Sequence, residues 1–275
     1  MIWKFNFDAR AKPYFSPLNT LGGEDLVWLK PDDHPWHYGL WFSWKYINNK
    51  NFWEEDRITG QSEGKAVLTR LSKKLSDDFH ANIEMEINYF LGENSAVLSE
   101  NRQIRISPPD NRGNYFIDWS LQLTAQADTV ILNRTPPEKL GGPVYGGYAG
   151  LSYRASPHMS QHSFMHANGW ASKKNQIGYG EKAKWMDLSG IFLNSKKKPG
   201  LTIFNYPKNG IDQIPWYIYK DGDFAFFNAA ILFNNSITIY PYEELKLRYR
   251  VLVHSEELTR LGIEEYYNDF TSMKD

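Results

Sequence analysis

The run Ile83-Glu84-Met85-Glu86-Ile87-Asn88-Tyr89 decides the fold class, because apolar and polar side chains change places at every residue. A period of two sends alternate side chains to opposite faces of an extended chain, as a half-buried β-strand requires. Ile117, Trp119, Leu121 and Leu123 repeat the pattern around Asp118, Ser120 and Gln122. Leu245, Leu247, Tyr249, Val251 and Val253 do so around Lys246, Arg248 and Arg250. Outward from these, strand candidates lie near 24–30, 38–46, 65–72, 96–106, 128–133, 184–193, 200–206, 223–233 and 236–242. Gly22-Gly23, Pro108-Pro109-Asp110-Asn111, Lys208-Asn209-Gly210 and Asp221-Gly222 supply the turns between them. Residues 134–182 read as a loop-rich stretch holding Gly141-Gly142-Pro143, Gly146-Gly147 and three histidines.

Helical periodicity is almost absent. The exception follows the last strand, where Ser255-Glu256-Glu257-Leu258 opens with a capping serine and Leu258, Leu261, Ile263 and Tyr267 share a face. Many strands, short turns and one helix predict an all-β protein: a large antiparallel β-sandwich with a C-terminal helix, one domain over residues 1–275.

Composition removes several function classes. The 275 residues include no cysteine, which excludes thiolate metal sites and cysteine nucleophiles. The net charge of -1, with acids and bases interspersed, gives no basic face for nucleic acid. No apolar run of about 18 residues is present to cross a membrane as a helix. The N-terminal Met1-Ile2-Trp3-Lys4-Phe5-Asn6-Phe7 alternates rather than forming a signal-peptide core, so a cytoplasmic or periplasmic protein is expected. Aromatic residues make up 16%, with ten tryptophans and seventeen tyrosines. Sheets favour aromatics, and sugar rings stack on them, so composition is compatible with a carbohydrate partner without requiring one.

Four constellations carry titratable chemistry. In Asp33-His34-Pro35-Trp36-His37-Tyr38-Gly39, two imidazoles three apart beside a carboxylate can ligate a metal, work as acid and base, or simply brace a loop. Pro35 prevents a regular helix across them. Phe52-Trp53-Glu54-Glu55-Asp56-Arg57 offers Glu54 as an inward carboxylate, or is an acidic turn neutralised by Arg57. Tyr145-Gly146-Gly147-Tyr148 running to Tyr153-Arg154 lets backbone approach a ligand, with Arg154 placed for a carboxylate or oxyanion, or for a structural ion pair. Lys184-Trp185-Met186-Asp187 offers a further carboxylate, with Trp216 behind it. His158, His162 and His166 read as a mobile loop, and His254 as an anchor for the helix.

In this order, these segments resemble a bacterial family of unknown function that once carried a methane-oxygenase label. The resemblance rests on Lys12-Pro13-Tyr14-Phe15, Asp33-His34-Pro35 with His37 and Gly39-Leu40-Trp41, and Phe52-Trp53-Glu54. It continues through Gly150-Leu151-Ser152-Tyr153-Arg154, Trp185-Met186-Asp187 and Arg248 to His254. The chain departs from the family at Trp36, usually a further histidine, and at Tyr38, often an arginine. The departure argues against a three-histidine metal site. The family's sugar-processing setting implies a supersandwich like that of galactose mutarotases and a small-molecule or oligosaccharide substrate.

The expected function is therefore carbohydrate-directed, with an enzyme acting on a glycoside or oxidised sugar by acid–base chemistry as the leading reading. His34, His37, Glu54, Arg154 and Asp187 are the expected catalytic residues. Asp33, Trp41, Tyr148, Trp185 and Trp216 are the expected substrate contacts. No metal or cofactor is expected. A non-catalytic sugar-binding module and a histidine-ligated oxidase are the alternatives.

Overall fold

A computed structural model describes residues 1–7, 12–93, 95–170, 177–210 and 212–272. Part of the loop-rich stretch, 171–176, lies outside the described residues. The chain forms an antiparallel sandwich of a nine-stranded and a seven-stranded sheet, with a four-stranded sheet beside them. The alternating runs that set the fold class lie side by side in the larger sheet. Ala81–Phe90, Leu98–Ile106, Tyr115–Ala125 and Glu244–His254 are consecutive neighbours in it. Their register pairs like with like, Ile83 with Ile104, Ile104 with Trp119 and Val251 with Ile117, so each face is continuous across the strands.

The seven-stranded sheet runs Trp3–Asn6, Tyr14–Leu18, Leu40–Ser43, Gly150–Arg154, Phe224–Ala229, Ile214–Asp221, Ile177–Ala183. Its inner face supplies Phe15, Leu40, Phe42, Leu151, Tyr153 and Phe227 to the core. Phe15 meets Trp119 of the opposite sheet at 5.9 Å, which is the sandwich contact itself. Within that core, the buried Glu100 and Arg102 pair with each other, and Tyr89 donates to Glu100.

Three sequence expectations change. Residues 24–30 form only isolated bridges, Asn19 to Asp25, Val27 to Ala155 and Leu29 to Tyr38, because the segment crosses strand ends instead of running along one. Within 134–182, Gly150–Arg154, Met159–His166 and Ile177–Ala183 are strands, so His162 and His166 are sheet residues rather than parts of a mobile loop. Gly150–Arg154 shows no alternation because all five of its residues are buried. The helix spans Arg260–Ser272 and starts after Thr259, whose Oγ1 accepts from the Gly262 N–H. Ser255 is instead buried upstream. The helix lies on the outer face of the larger sheet, with Tyr267 5.9 Å and Phe270 6.3 Å from Phe204.

Candidate active site

The seven-stranded sheet has a second apolar layer on its outer face, and strand alternation creates it. Leu40 and Phe42 point into the sandwich, so Trp41 points out; Trp216 and Ile218 point in, so Tyr217 points out. The register then lines up Tyr14, Trp41, Ser152, Asn228 and Tyr217 across five strands. Trp41, Trp53, Tyr217, Phe226 and Phe233 form a buried aromatic cluster there, separate from the main core.

The histidine segment folds onto this layer as a tight turn. The His37 N–H donates to the His34 carbonyl at 2.9 Å, and the Lys30 N–H donates to the His37 carbonyl at 2.8 Å. Gly39 follows with φ at 70°, where a Cβ would stand 2.8 Å from the Phe15 carbonyl oxygen. Only glycine allows the turn to feed the strand this closely. The His34 and His37 rings stack with centroids 4.6 Å apart, and His37 also lies against Phe226 at 5.0 Å and Trp41 at 5.1 Å. Burial, reinforced by His34, Arg154 and Lys12, pushes the His37 imidazole well below the ordinary histidine range. It is therefore neutral at neutral pH, and its buried Nδ1 has no partner.

Asp33 links this pair to a guanidinium. Its Oδ2 accepts from His34 Nδ1 at 3.0 Å and from Arg154 Nη2 at 3.3 Å. Burial opposes ionisation of Asp33, but His34 and then Arg154 together hold its carboxyl below the usual range. An ionised carboxylate only accepts, so His34 carries its proton on Nδ1 and presents a bare Nε2 when neutral. Arg154 is 1% exposed and lies between Trp28, 4.8 Å away, and Phe224, whose ring centre is 3.2 Å from Cζ. Burial lowers its pKa to about 10, which leaves it charged at neutral pH.

Two carboxylates stand at the rim. Glu54 pairs with Lys45 and accepts from Tyr148 at 2.6 Å and from Asn51 Nδ2 at 2.7 Å. Burial works against its charge, yet Lys45, Tyr148 and Asn51 outweigh burial and hold its pKa down. Glu55 accepts from Lys12 at 2.7 Å and from the Tyr38 hydroxyl at 2.8 Å. Lys12, Tyr14, Tyr38 and Glu55 also border a cleft of about 1310 Å³ that opens beside the aromatic layer.

Of the residues singled out in sequence, Asp33, His34, His37, Trp41, Glu54, Tyr148 and Arg154 come together on this face. Trp41 is fully buried, so it is floor rather than a stacking surface. Asp187 and Trp185 do not come together with them. They face outward from the opposite sheet, Trp185 against the C-terminal helix. Asp187 accepts from Ser189 and Thr202 at 2.7 Å and meets His254 Nε2 at 2.9 Å, while Trp185 donates to Glu264 at 2.9 Å. Trp216 points into the sandwich and donates to the Ala183 carbonyl at 2.9 Å. Motif reading could not see which face each strand would present.

Sequence reading passed over Lys45, Phe224, Phe226 and Asn228. A period-two reading of 224–228 would have grouped the last three, since they share the outer face. His162 is buried with Nε2 unpaired, and burial, then Lys220, lowers its pKa to about 4.

Among the described residues, no group of three or more His, Asp or Glu side chains is arranged to hold a metal ion. Nor is any helix among them long and apolar enough to cross a membrane. A solved structure from Klebsiella pneumoniae subsp. pneumoniae, described as a "putative aldose 1-epimerase", is similar at a TM-score of 0.42 and 8% identity. The match covers 74% of this chain and 59% of that one, so this chain spans less than two thirds of its length. No curated protein matches the sequence. A family model matches residues 2–268, nearly the whole chain, and the protein belongs to that family, the family of unknown function DUF6807.

Proposed function

We propose that the protein is a carbohydrate-directed enzyme that moves a proton on a glycoside or oxidised sugar, with His34 as the acid–base group. The observation that carries this reading is the Asp33 carboxylate shared between His34 Nδ1 and Arg154 Nη2. Asp33 orients the ring and fixes its tautomer, leaving Nε2 to take a proton and return it. His37 stays neutral beneath it, which prevents a second positive charge from stacking on the imidazolium that forms. Arg154 supplies fixed positive charge next to the reacting centre, in surroundings where water screens it little. The half-buried Trp36 and Tyr148 contribute aromatic surface at the rim.

Incubation of the protein with aldoses, uronates and methyl glycosides in D2O, followed by proton NMR, tests the reading. New product signals or loss of a C–H signal with wild type, absent with His34→Asn, is the expected result. Sugar binding by wild type with no chemistry on any of the panel would instead make the protein a binding module.

A further inference from the structure

Arg154 and Asn228 are buried on the same sheet face, and both keep polar atoms without partners. Arg154 is 1% exposed, with Nε and Nη1 unpaired and Nη2 in a long 3.3 Å contact to Asp33. Asn228 is 0% exposed, and both its Nδ2 and Oδ1 are unpaired. Arg154 pairs with Phe226 and Ser152 with Asn228, so the two are diagonal neighbours on adjacent strands, a spacing of roughly 7–8 Å. Each unsatisfied buried group costs stability, so a fold that keeps several in one patch calls for an explanation beyond stability.

We propose that the sugar taken here is acidic, a hexuronate or its glycoside, with its carboxylate received by Arg154 and a ring hydroxyl read by Asn228. This rests on the carbohydrate reading above and names the substrate class of the same site. Asp33 engages only Nη2, and through a long contact, so a substrate carboxylate can pair with Nη2 together with either neighbouring free nitrogen, Nε or Nη1. A phosphate dianion would ask for more positive charge than Arg154 alone supplies. Asn228 both donates and accepts, as a sugar hydroxyl does, and the diagonal spacing is one that a six-membered ring with its carboxylate can bridge. Phe224 covers the guanidinium and also touches His34, with ring centroids 5.1 Å apart. It is the first residue after the two-residue turn Gly222-Asp223, so a rotation of its side chain uncovers Arg154 without disturbing the sheet.

The test is calorimetric titration with the methyl glycosides of D-glucuronate and D-galacturonate against those of D-glucose and D-galactose. The uronates are expected to bind about 10–100-fold more tightly, the worth of one charge-assisted hydrogen-bonded pair. Arg154→Lys should reduce that preference to about threefold or less, since lysine loses the planar fork. Phe224→Ala should speed uronate association in stopped-flow measurements. Asn228→Leu should raise the melting temperature while weakening both sugar types, and it keeps the test open if Arg154→Lys does not fold.

Equal binding of acidic and neutral sugars by wild type overturns the proposal, and so does a preference that survives Arg154→Lys. Stronger competition by inorganic phosphate than by acetate also overturns it. Preserved uronate binding by His34→Asn supports it and separates recognition from proton transfer. Turnover of neutral sugars without any uronate preference sinks this inference while leaving the acid–base reading standing.

Discussion

The His34 and His37 rings stack 4.6 Å apart and 28° from parallel, one at the surface and one 4% exposed. Two imidazolium ions at that separation would repel each other, and the buried ring is the one that stays neutral. Imidazole nitrogen shifts of 15N-labelled protein should therefore show His37 neutral from neutral pH down to the onset of acid unfolding. His34→Ala should raise the His37 value only part of the way to the ordinary one, because burial is the larger cause.

Asp33 holds both His34 and Arg154 but is itself 45% exposed at the side chain. Asp33→Asn should lower kcat by about 10–100-fold through lost orientation of the ring, while changing stability by no more than about 1 kcal/mol. Steady-state kinetics alongside urea melts would read both. A large stability loss with unchanged kcat would make the contact structural.

The rim carboxylate Glu54 belongs to a network in which Lys45 is 5% exposed at its side chain. Glu54→Gln leaves that ammonium without its counter-charge and should destabilise the fold by about 2–4 kcal/mol. Tyr148→Phe should cost about 1 kcal/mol, and the double variant less than the sum. Denaturant melts of the three variants check this.

Asp187 is the buried acceptor for Ser189, Thr202 and His254 on the far side of the sandwich. Asp187→Asn should lower stability by about 2–4 kcal/mol and leave sugar affinity of the folded protein unchanged. A selective loss of affinity or turnover, with stability intact, would return Asp187 to the candidate site.

Acid should destabilise the protein below neutrality through its buried histidines. His162 has a folded value of about 4 against an ordinary 6.5, so the unfolded chain takes the proton first as pH falls. The stability carried by neutral His162 is complete above the unfolded value and is lost as pH falls toward 4, a loss of roughly 3 kcal/mol at most. His37 acts in the same direction. Glu54, held low, contributes stability that disappears only at still lower pH. Chemical melts at stepped pH should show His162→Gln losing less stability than wild type across that window.

The sandwich was legible because period-two alternation is a local property, and runs such as Ile83–Tyr89 state it without help from the rest of the chain. The histidine segment was equally visible, since Asp33, His34, His37 and Gly39 lie within seven residues and act through one turn. How the rest of the candidate site meets it was not. Arg154 was singled out in sequence but stands 121 residues from Asp33, and Asn228 has no motif around it. Both reach the site only because Gly150–Arg154 pairs with Phe224–Ala229 and with Leu40–Ser43 in one register.

Asp187 shows the converse. Its neighbours in sequence looked as promising as those of Arg154, yet its strand lies in the other sheet and turns it to the opposite side of the molecule. Alternation determines that every second residue leaves the core. Strand order and register decide which of those residues meet, because pairing joins strands far apart in sequence and one step of slippage exchanges the faces.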